Sequence, residues 1–139
     1  FGSSTTAGSP LVPALSAPMP AYVTLHVYDL VGANQLLRLV GTGAFHAGVE
    51  VYDLEWSYGY DNEGTGIFPV KPRSLEEQGV HHREAISMGQ TKLTEEEVYA
   101  LIGSMAFQRR GREYDLLRKN CCCFSSEFCK RLRVAAPPR

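Results

Sequence analysis

Several things are missing from this chain of 139 residues, and each absence closes off a class of function. There is no surplus of positive charge. Fourteen Lys and Arg stand against 15 Asp and Glu, a net charge of −1, so the chain lacks the basic face with which proteins grip nucleic acid or an anionic membrane. No charge-free apolar run approaches the roughly 18 residues of a bilayer span. Residues 1–20 carry no charged residue; without a basic stretch, and with prolines interrupting their apolar residues, they do not read as a secretory signal. No cysteine lies outside residues 121–129, where Cys121, Cys122, Cys123 and Cys129 crowd together. A disulfide framework would spread its cysteines to close long loops. The run also has no C-x2-C spacing, and adjacent cysteines aim poorly at one tetrahedral ion, so no metal and no cofactor are expected. The clustering fits a reducing compartment, cytoplasm or nucleus, and cysteines used as thiols.

With 44% apolar residues, the chain is long enough for one domain with one core. It opens on Phe1 rather than Met, as a processed or partial N-terminus would. Residues 1–20, rich in Gly, Ser, Ala and Pro, read as a flexible tail, which leaves residues 21–139 as the domain. An extended segment of small residues suits a groove or sheet edge, on its own domain or on a second copy.

From Tyr22 onward Val23, Leu25 and Val27 alternate with Thr24, His26 and Tyr28, the pattern of a strand. Asn34–Val40 reads as a short helical turn ended by Gly41-Thr42-Gly43. Phe45, Ala47, Val49 and Val51 alternate with His46, Gly48, Glu50 and Tyr52, and a further strand, Leu54–Gly59, follows so soon that the two form a hairpin around Asp53. Ile67–Val70 is a short strand, Pro72–Gly79 a loop, and Arg83–Met88 another strand. Thr94 and Glu97 make a capping box. Val98, Leu101, Ile102 and Met105 then mark the buried face of a helix that Gly111 stops. The last helix begins near Cys121, with Cys121, Phe124, Phe128 and Leu132 inward and Cys123, Ser126, Glu127 and Lys130 outward. Strands followed by helices give an α+β fold with helices packed on an antiparallel sheet.

A cysteine at the first turn of a helix sits among unpaired N–H groups and the positive end of the dipole, which favour thiolate and can hold an oxyanion. A thiolate nucleophile needs a base, normally His. Of His26, His46, His81 and His82, His46 is best placed: it faces away from an apolar strand face, and the small residues Ala47 and Gly48 follow it. His81 and His82 precede an edge-like strand and read as solvated. On the residues alone, a buried core cysteine and a structural histidine remain open readings.

Val23-Thr-Leu-His-Val-Tyr-Asp-Leu30, Gly41-Thr-Gly-Ala-Phe-His-Ala-Gly-Val-Glu-Val-Tyr52 and Glu55-Trp-Ser-Tyr-Gly59 resemble the PPPDE domain, the family also called desumoylating isopeptidases. The likeness continues through Gly66-Ile-Phe68, Met88-Gly-Gln-Thr91, Tyr114-Asp-Leu-Leu117 and Lys119-Asn-Cys-Cys-Cys-Phe-Ser125, and spans residues 22–132. It implies a permuted papain-like fold, with a small antiparallel sheet or barrel packed against helices and the nucleophile at a helix N-terminus. It implies Cys121 as nucleophile and His46 as its catalytic base. It also implies thiol hydrolysis of the bond after the C-terminal glycine of SUMO or ubiquitin, with their conjugates as partners, no nucleic acid, no membrane span and room for a homodimer. The chain departs from the family in three places. Cys122 and Cys123 replace the usual Asn and His or Thr after the nucleophile. A P-x-W-x-N-R-L-A-like segment is cut or absent beyond Pro137-Pro138-Arg139. Residues 1–20 have no counterpart.

Hairpin parity offers Ser57 and Glu55 as groups to orient His46, beside the alternative of an unassisted dyad. Gly48 suits a narrow channel for a Gly-Gly tail, and Trp56 and Tyr58 suit packing or groove walls. Two rival functions share the fold: a protein S-acyl thioesterase using the same dyad, and a non-catalytic binding module.

Overall fold

A computed structural model of the chain describes residues 21–29, 45–115 and 118–134. Among these residues five strands, β1 (Ala21–Asp29), β2 (Phe45–Val51), β3 (Leu54–Tyr58), β4 (Ile67–Val70) and β5 (His81–Thr91), precede two α-helices, α1 (Glu95–Gln108) and α2 (Cys121–Arg131). The strands form one sheet in the order β4-β3-β2-β1-β5, every neighbouring pair antiparallel. The expected α+β class is what the chain adopts. The predicted helical turn at 34–40 and the tail at 1–20 lie outside the described residues.

The hairpin between β2 and β3 is set by its turn. Val51 pairs with Leu54, leaving Tyr52 and Asp53 as a two-residue loop with φ of 51° and 64°. Positive φ at both central residues is the type I′ geometry whose twist matches that of the strands it joins. The register it fixes puts Val49 opposite Trp56 and Glu50 opposite Glu55.

Alternation then sorts the side chains between two faces. On one, Val23, Leu25, Ala47, Val49, Val51, Trp56, Tyr58 and Ile67 join Val98, Ile102 and Met105 of α1 and Phe124, Phe128 and Leu132 of α2 in a single core. The other face is polar yet also buried where it matters: Tyr28, His46, Glu55 and Ser57 are each no more than 1% exposed. Burying these polar groups is tolerable only if they find partners, and most of them find one another.

Both helices start as the sequence dictates. Thr94 Oγ1 accepts the Glu97 N–H at 3.1 Å, and Glu97 Oε1 accepts the Thr94 N–H at 2.8 Å, which completes the capping box. Three boundaries differ from expectation. Helix α1 ends at Gln108 with Arg109 as its C-cap, so Gly111 serves a later 3-10 turn, Gly111–Glu113, not the helix stop. The stretch Pro72–Gly79, expected as a loop, contains a 3-10 turn, Ser74–Gln78. Strand β5 is longer than the alternation suggested, because register shifts between Val23 and Thr24 and between Val27 and Tyr28 break the period of two on which that reading relied. His81 and His82 therefore belong to the strand. His82 is half-buried, its Nε2 2.9 Å from His26 Nδ1, rather than solvated.

Candidate active site

Cys121 is the first residue of α2 and is buried, at 3% exposure. Asn120 caps the helix: its Oδ1 accepts the N–H groups of Cys122 and Cys123, each at 3.0 Å. This cap satisfies two of the free donors of the first turn and leaves the Cys121 N–H outside its grip. Reciprocal backbone bonds between Asp115 and Lys119, at 2.8 and 2.9 Å, draw the chain back on itself. They bring Tyr114 alongside the cap, where Tyr114 shares a hydrogen bond with the Cys121 side chain. From the sheet side, the backbone N–H of Ala47 also points at the Cys121 sulfur. The nucleophile candidate thus sits against the residue that follows His46, as α2 packs across β2 and β3.

The Cys121 and Cys122 side chains are hydrogen-bonded to each other. The hydrogen bond with Cys122, followed by burial, pushes Cys121 well up, whereas the bond received from Cys121 draws the exposed Cys122 down to about 7. The Cys121 side chain is a thiol at rest. Cys123, also exposed, turns its sulfur toward the Arg118 carbonyl at 3.6 Å. Cys129 is buried in the core, where desolvation lifts it to about 11.

His46 is fully enclosed at 1% exposure. Its Nε2 lies 3.1 Å from Ser57 Oγ, so of the two orienting candidates the structure brings Ser57 to the ring. Its Nδ1 is buried and has no hydrogen-bond partner among the described residues. Leaving such a nitrogen unsatisfied costs about 1–3 kcal/mol, and native structures keep few of these groups without a use for them. Burial also lowers the His46 pKa from 6.5 to about 4, so the ring is neutral near pH 7.

Glu55 does not reach His46; it anchors a different segment. The Tyr28 hydroxyl donates to the Glu55 carboxylate at 2.8 Å, and the Arg73 backbone N–H donates to Glu55 Oε1 at 2.9 Å. Arg73 is held at φ 63°, a left-handed conformation that a non-glycine residue adopts at some cost; the buried carboxylate offsets that cost. Tyr28 pairs with His46 across β1 and β2. One polar layer therefore runs from Arg73 through Glu55 and Tyr28 to the strand positions of His46 and Ser57.

Gly48, expected to suit a channel, and Trp56 and Tyr58, expected as packing or groove walls, are placed differently from one another. Gly48 is buried beneath Glu55 and Ser57: a Cβ there would collide with Glu55 Oε2 and stand 2.9 Å from Ser57 Oγ. Its smallness serves internal packing at that point. Trp56, at 7% exposure, packs edge-on to Tyr99, and Tyr58 is fully buried with its hydroxyl donating to the Arg110 carbonyl at 2.8 Å. Both are core residues, one of the two roles the sequence left open for them. Sequence reasoning gave no role to Tyr114, or to Tyr28 and Arg73. Tyr114 opened one of the quoted segments, but nothing in its spacing connects a tyrosine to a cysteine seven residues on across a closed loop.

A family model described as "PPPDE putative peptidase domain" matches residues 21–139. The chain belongs to the PPPDE peptidase family. It is 34% identical over 113 residues to the desumoylating isopeptidase 1 homolog of Caenorhabditis elegans, a match covering 79% of this chain and 34% of that protein. It is 32% identical over 118 residues to a DeSI-like protein of Arabidopsis thaliana, covering 84% of this chain and 51% of that one. The chain therefore spans about a third and about half of the length of these relatives. No helix among the described residues of this PPPDE domain is long and apolar enough to cross a membrane.

The buried imidazole should make the domain sensitive to acid. The unfolded chain takes up a proton on His46 near pH 6.5, whereas the folded one resists until about 4. The contribution of His46 is present in full above pH 6.5 and is lost progressively as pH falls from 6.5 to 4. The difference between those values corresponds to about 3 kcal/mol. Urea midpoints measured from pH 7.5 to 4.5 should fall accordingly, and His46→Gln should flatten the fall. An equally steep fall in the variant would show that other groups carry the acid response.

Proposed function

We propose that this PPPDE domain is a cysteine isopeptidase in which Cys121 attacks, His46 moves the proton and Ser57 orients the imidazole. The observation that carries the reading is the state of His46: tied through Nε2 to Ser57, with Nδ1 buried and unpartnered, on the residue next to the one whose N–H meets the Cys121 sulfur. A base at Nδ1 must have its proton on Nε2, so Nε2–H donates to Ser57 Oγ. That bond fixes both the tautomer and the ring plane.

Because Cys121 is a thiol and His46 neutral at rest, attack is base-assisted rather than launched from a standing ion pair. Nδ1 takes the Cys121 proton as sulfur bonds to the carbonyl carbon of the modifier's terminal glycine. The carbonyl π electrons move to oxygen, and the Cys121 backbone N–H at the head of α2 donates to that oxyanion. As the carbonyl re-forms, the C–N bond breaks and the imidazolium protonates the departing lysine amine. Water, deprotonated by the same nitrogen, then cleaves the thioester and returns the proton to sulfur.

The name of the nematode relative supports SUMO conjugates as substrate, and the free thiols of α2 suit the reducing cytoplasm or nucleus. The test is a C-terminal electrophile probe of SUMO beside one of ubiquitin. A SUMO adduct mapped to Cys121 and absent from Cys121→Ala is the expected result. An adduct with ubiquitin alone would change the modifier, and no adduct with either would overturn the isopeptidase reading.

A further inference from the structure

The isopeptidase reading leaves the oxyanion with one donor, the Cys121 backbone N–H, where acyl transfer ordinarily uses two. We propose that the Tyr114 hydroxyl is the second, making Tyr114 a catalytic residue; the inference rests on Cys121 being the nucleophile. Three observations converge. The hydroxyl donates to the Cys121 sulfur, the atom that bonds to the carbonyl carbon, and its oxygen accepts from the Cys121 backbone N–H, so the two proposed oxyanion donors already lie side by side. The ring is fixed from behind by Tyr58, centroid to centroid 5.2 Å. The backbone on either side is pinned, by the Tyr114 N–H to the Gly111 carbonyl at 3.3 Å and by the double bond pair between Asp115 and Lys119. A donor held this firmly needs little reorganisation when charge develops, which is what makes such donors effective.

Geometry converts a sulfur partner into an oxygen partner. In the tetrahedral intermediate the oxyanion is attached to the carbon that is attached to sulfur, so it lies within a few ångströms of any group already bonded to that sulfur. Before attack Tyr114 O–H is directed at sulfur. When the π pair of the carbonyl moves onto oxygen, a short rotation of the O–H about the C–O bond of the phenol turns the hydroxyl to donate there, and it returns as the carbonyl re-forms and the amine leaves. No proton is transferred: partial burial raises the phenol above its usual value, so it stays protonated and acts as a donor throughout. The Ala47 N–H remains on the sulfur side, and the two donors thereby divide between nucleophile and oxyanion.

Tyr114→Phe removes the hydroxyl and keeps the ring against Tyr58. With an aminocoumarin conjugate of the reactive modifier, kcat should fall about 100- to 1000-fold, with KM within about threefold. Losing the hydroxyl also weakens the hold on thiolate, so a second readout separates the two effects. Alkylation by iodoacetamide passes through no oxyanion, and fragment mass spectrometry assigns the adduct to Cys121 rather than Cys122. The loss in kcat should exceed the loss in Cys121 alkylation at least tenfold at every pH. Equal losses would make Tyr114 a thiolate partner only, and a kcat within threefold of the parent would remove it from the reaction; either result overturns the proposal. If the parent chain fails to hydrolyse the conjugate, or Cys121→Ala keeps its rate, the isopeptidase reading itself falls, and this inference with it.

Discussion

Cys121→Ser should lower kcat/KM on a modifier–aminocoumarin conjugate by on the order of 10⁴-fold or more, while Cys122→Ser should cost no more than about tenfold. The contrast is informative because acidity alone would choose the other residue. Cys122 is the exposed thiol drawn down to about 7, and Cys121 is the one pushed up. Position argues the opposite way. Cys121 has the Ala47 N–H and Tyr114 around it and lies inside the fold, whereas Cys122 is exposed. A nucleophile whose base is a neighbouring imidazole need not be a thiolate beforehand. Cys122→Ser removes the partner that raises Cys121, so modest loss or even a small gain is compatible with this arrangement. Should Cys122→Ser be as inactive as Cys121→Ser, the attacking sulfur is the exposed one. His46→Ala should match Cys121→Ser within an order of magnitude, since residues acting as a unit fail together.

A large loss of stability from a single added carbon is expected at Gly48→Ala, beside the candidate site. The new Cβ would collide with the Glu55 carboxylate and stand 2.8 Å from Glu55 Cγ and 2.9 Å from Ser57 Oγ. Neither neighbour can retreat freely. Glu55 is held by Tyr28 and by the Arg73 N–H, and Ser57 by His46. Overpacking of this kind costs about 1–3 kcal/mol, and loosening a buried carboxylate from its donors adds to it. A loss of about 2–4 kcal/mol in urea unfolding is expected, together with a drop in kcat as Ser57 shifts from the imidazole. A change below about 0.5 kcal/mol would mean that the polar layer is far more compliant than its hydrogen bonds indicate.

Much of this architecture was legible beforehand for reasons that can be stated locally. The strand alternation around His46, the tight connection at Asp53 and the Thr94–Glu97 capping pair are short-range signals, and each led to the element that formed. So did the inward face Cys121, Phe124, Phe128 and Leu132, all buried. Hairpin parity put Ser57 and Glu55 on the face of His46 but could not separate them. Their separation depends on Arg73, a residue in a left-handed conformation that no propensity would assign to arginine. The bulges between β1 and β5 hid the full extent of β5 and with it the contact between His26 and His82. Tyr114 was out of reach for a similar reason: the 115–119 closure that delivers it is a tertiary fact, written in backbone bonds rather than in side-chain pattern.

The type I′ turn at Tyr52-Asp53 has a consequence in time as well as in space. His46 and Ser57 stand 11 residues apart on the two arms of one hairpin, and structures of this kind close in about 1–10 μs. Cys121 lies 75 positions beyond His46 in the chain, and its docking depends on contacts between distant parts of the sequence, which form slowly. A chain synthesised from its N-terminus has made the imidazole and its hydroxyl partner well before the cysteine codon is read. Under the proposed roles the base is made before the nucleophile, and hydrolysis waits until α2 settles onto the sheet.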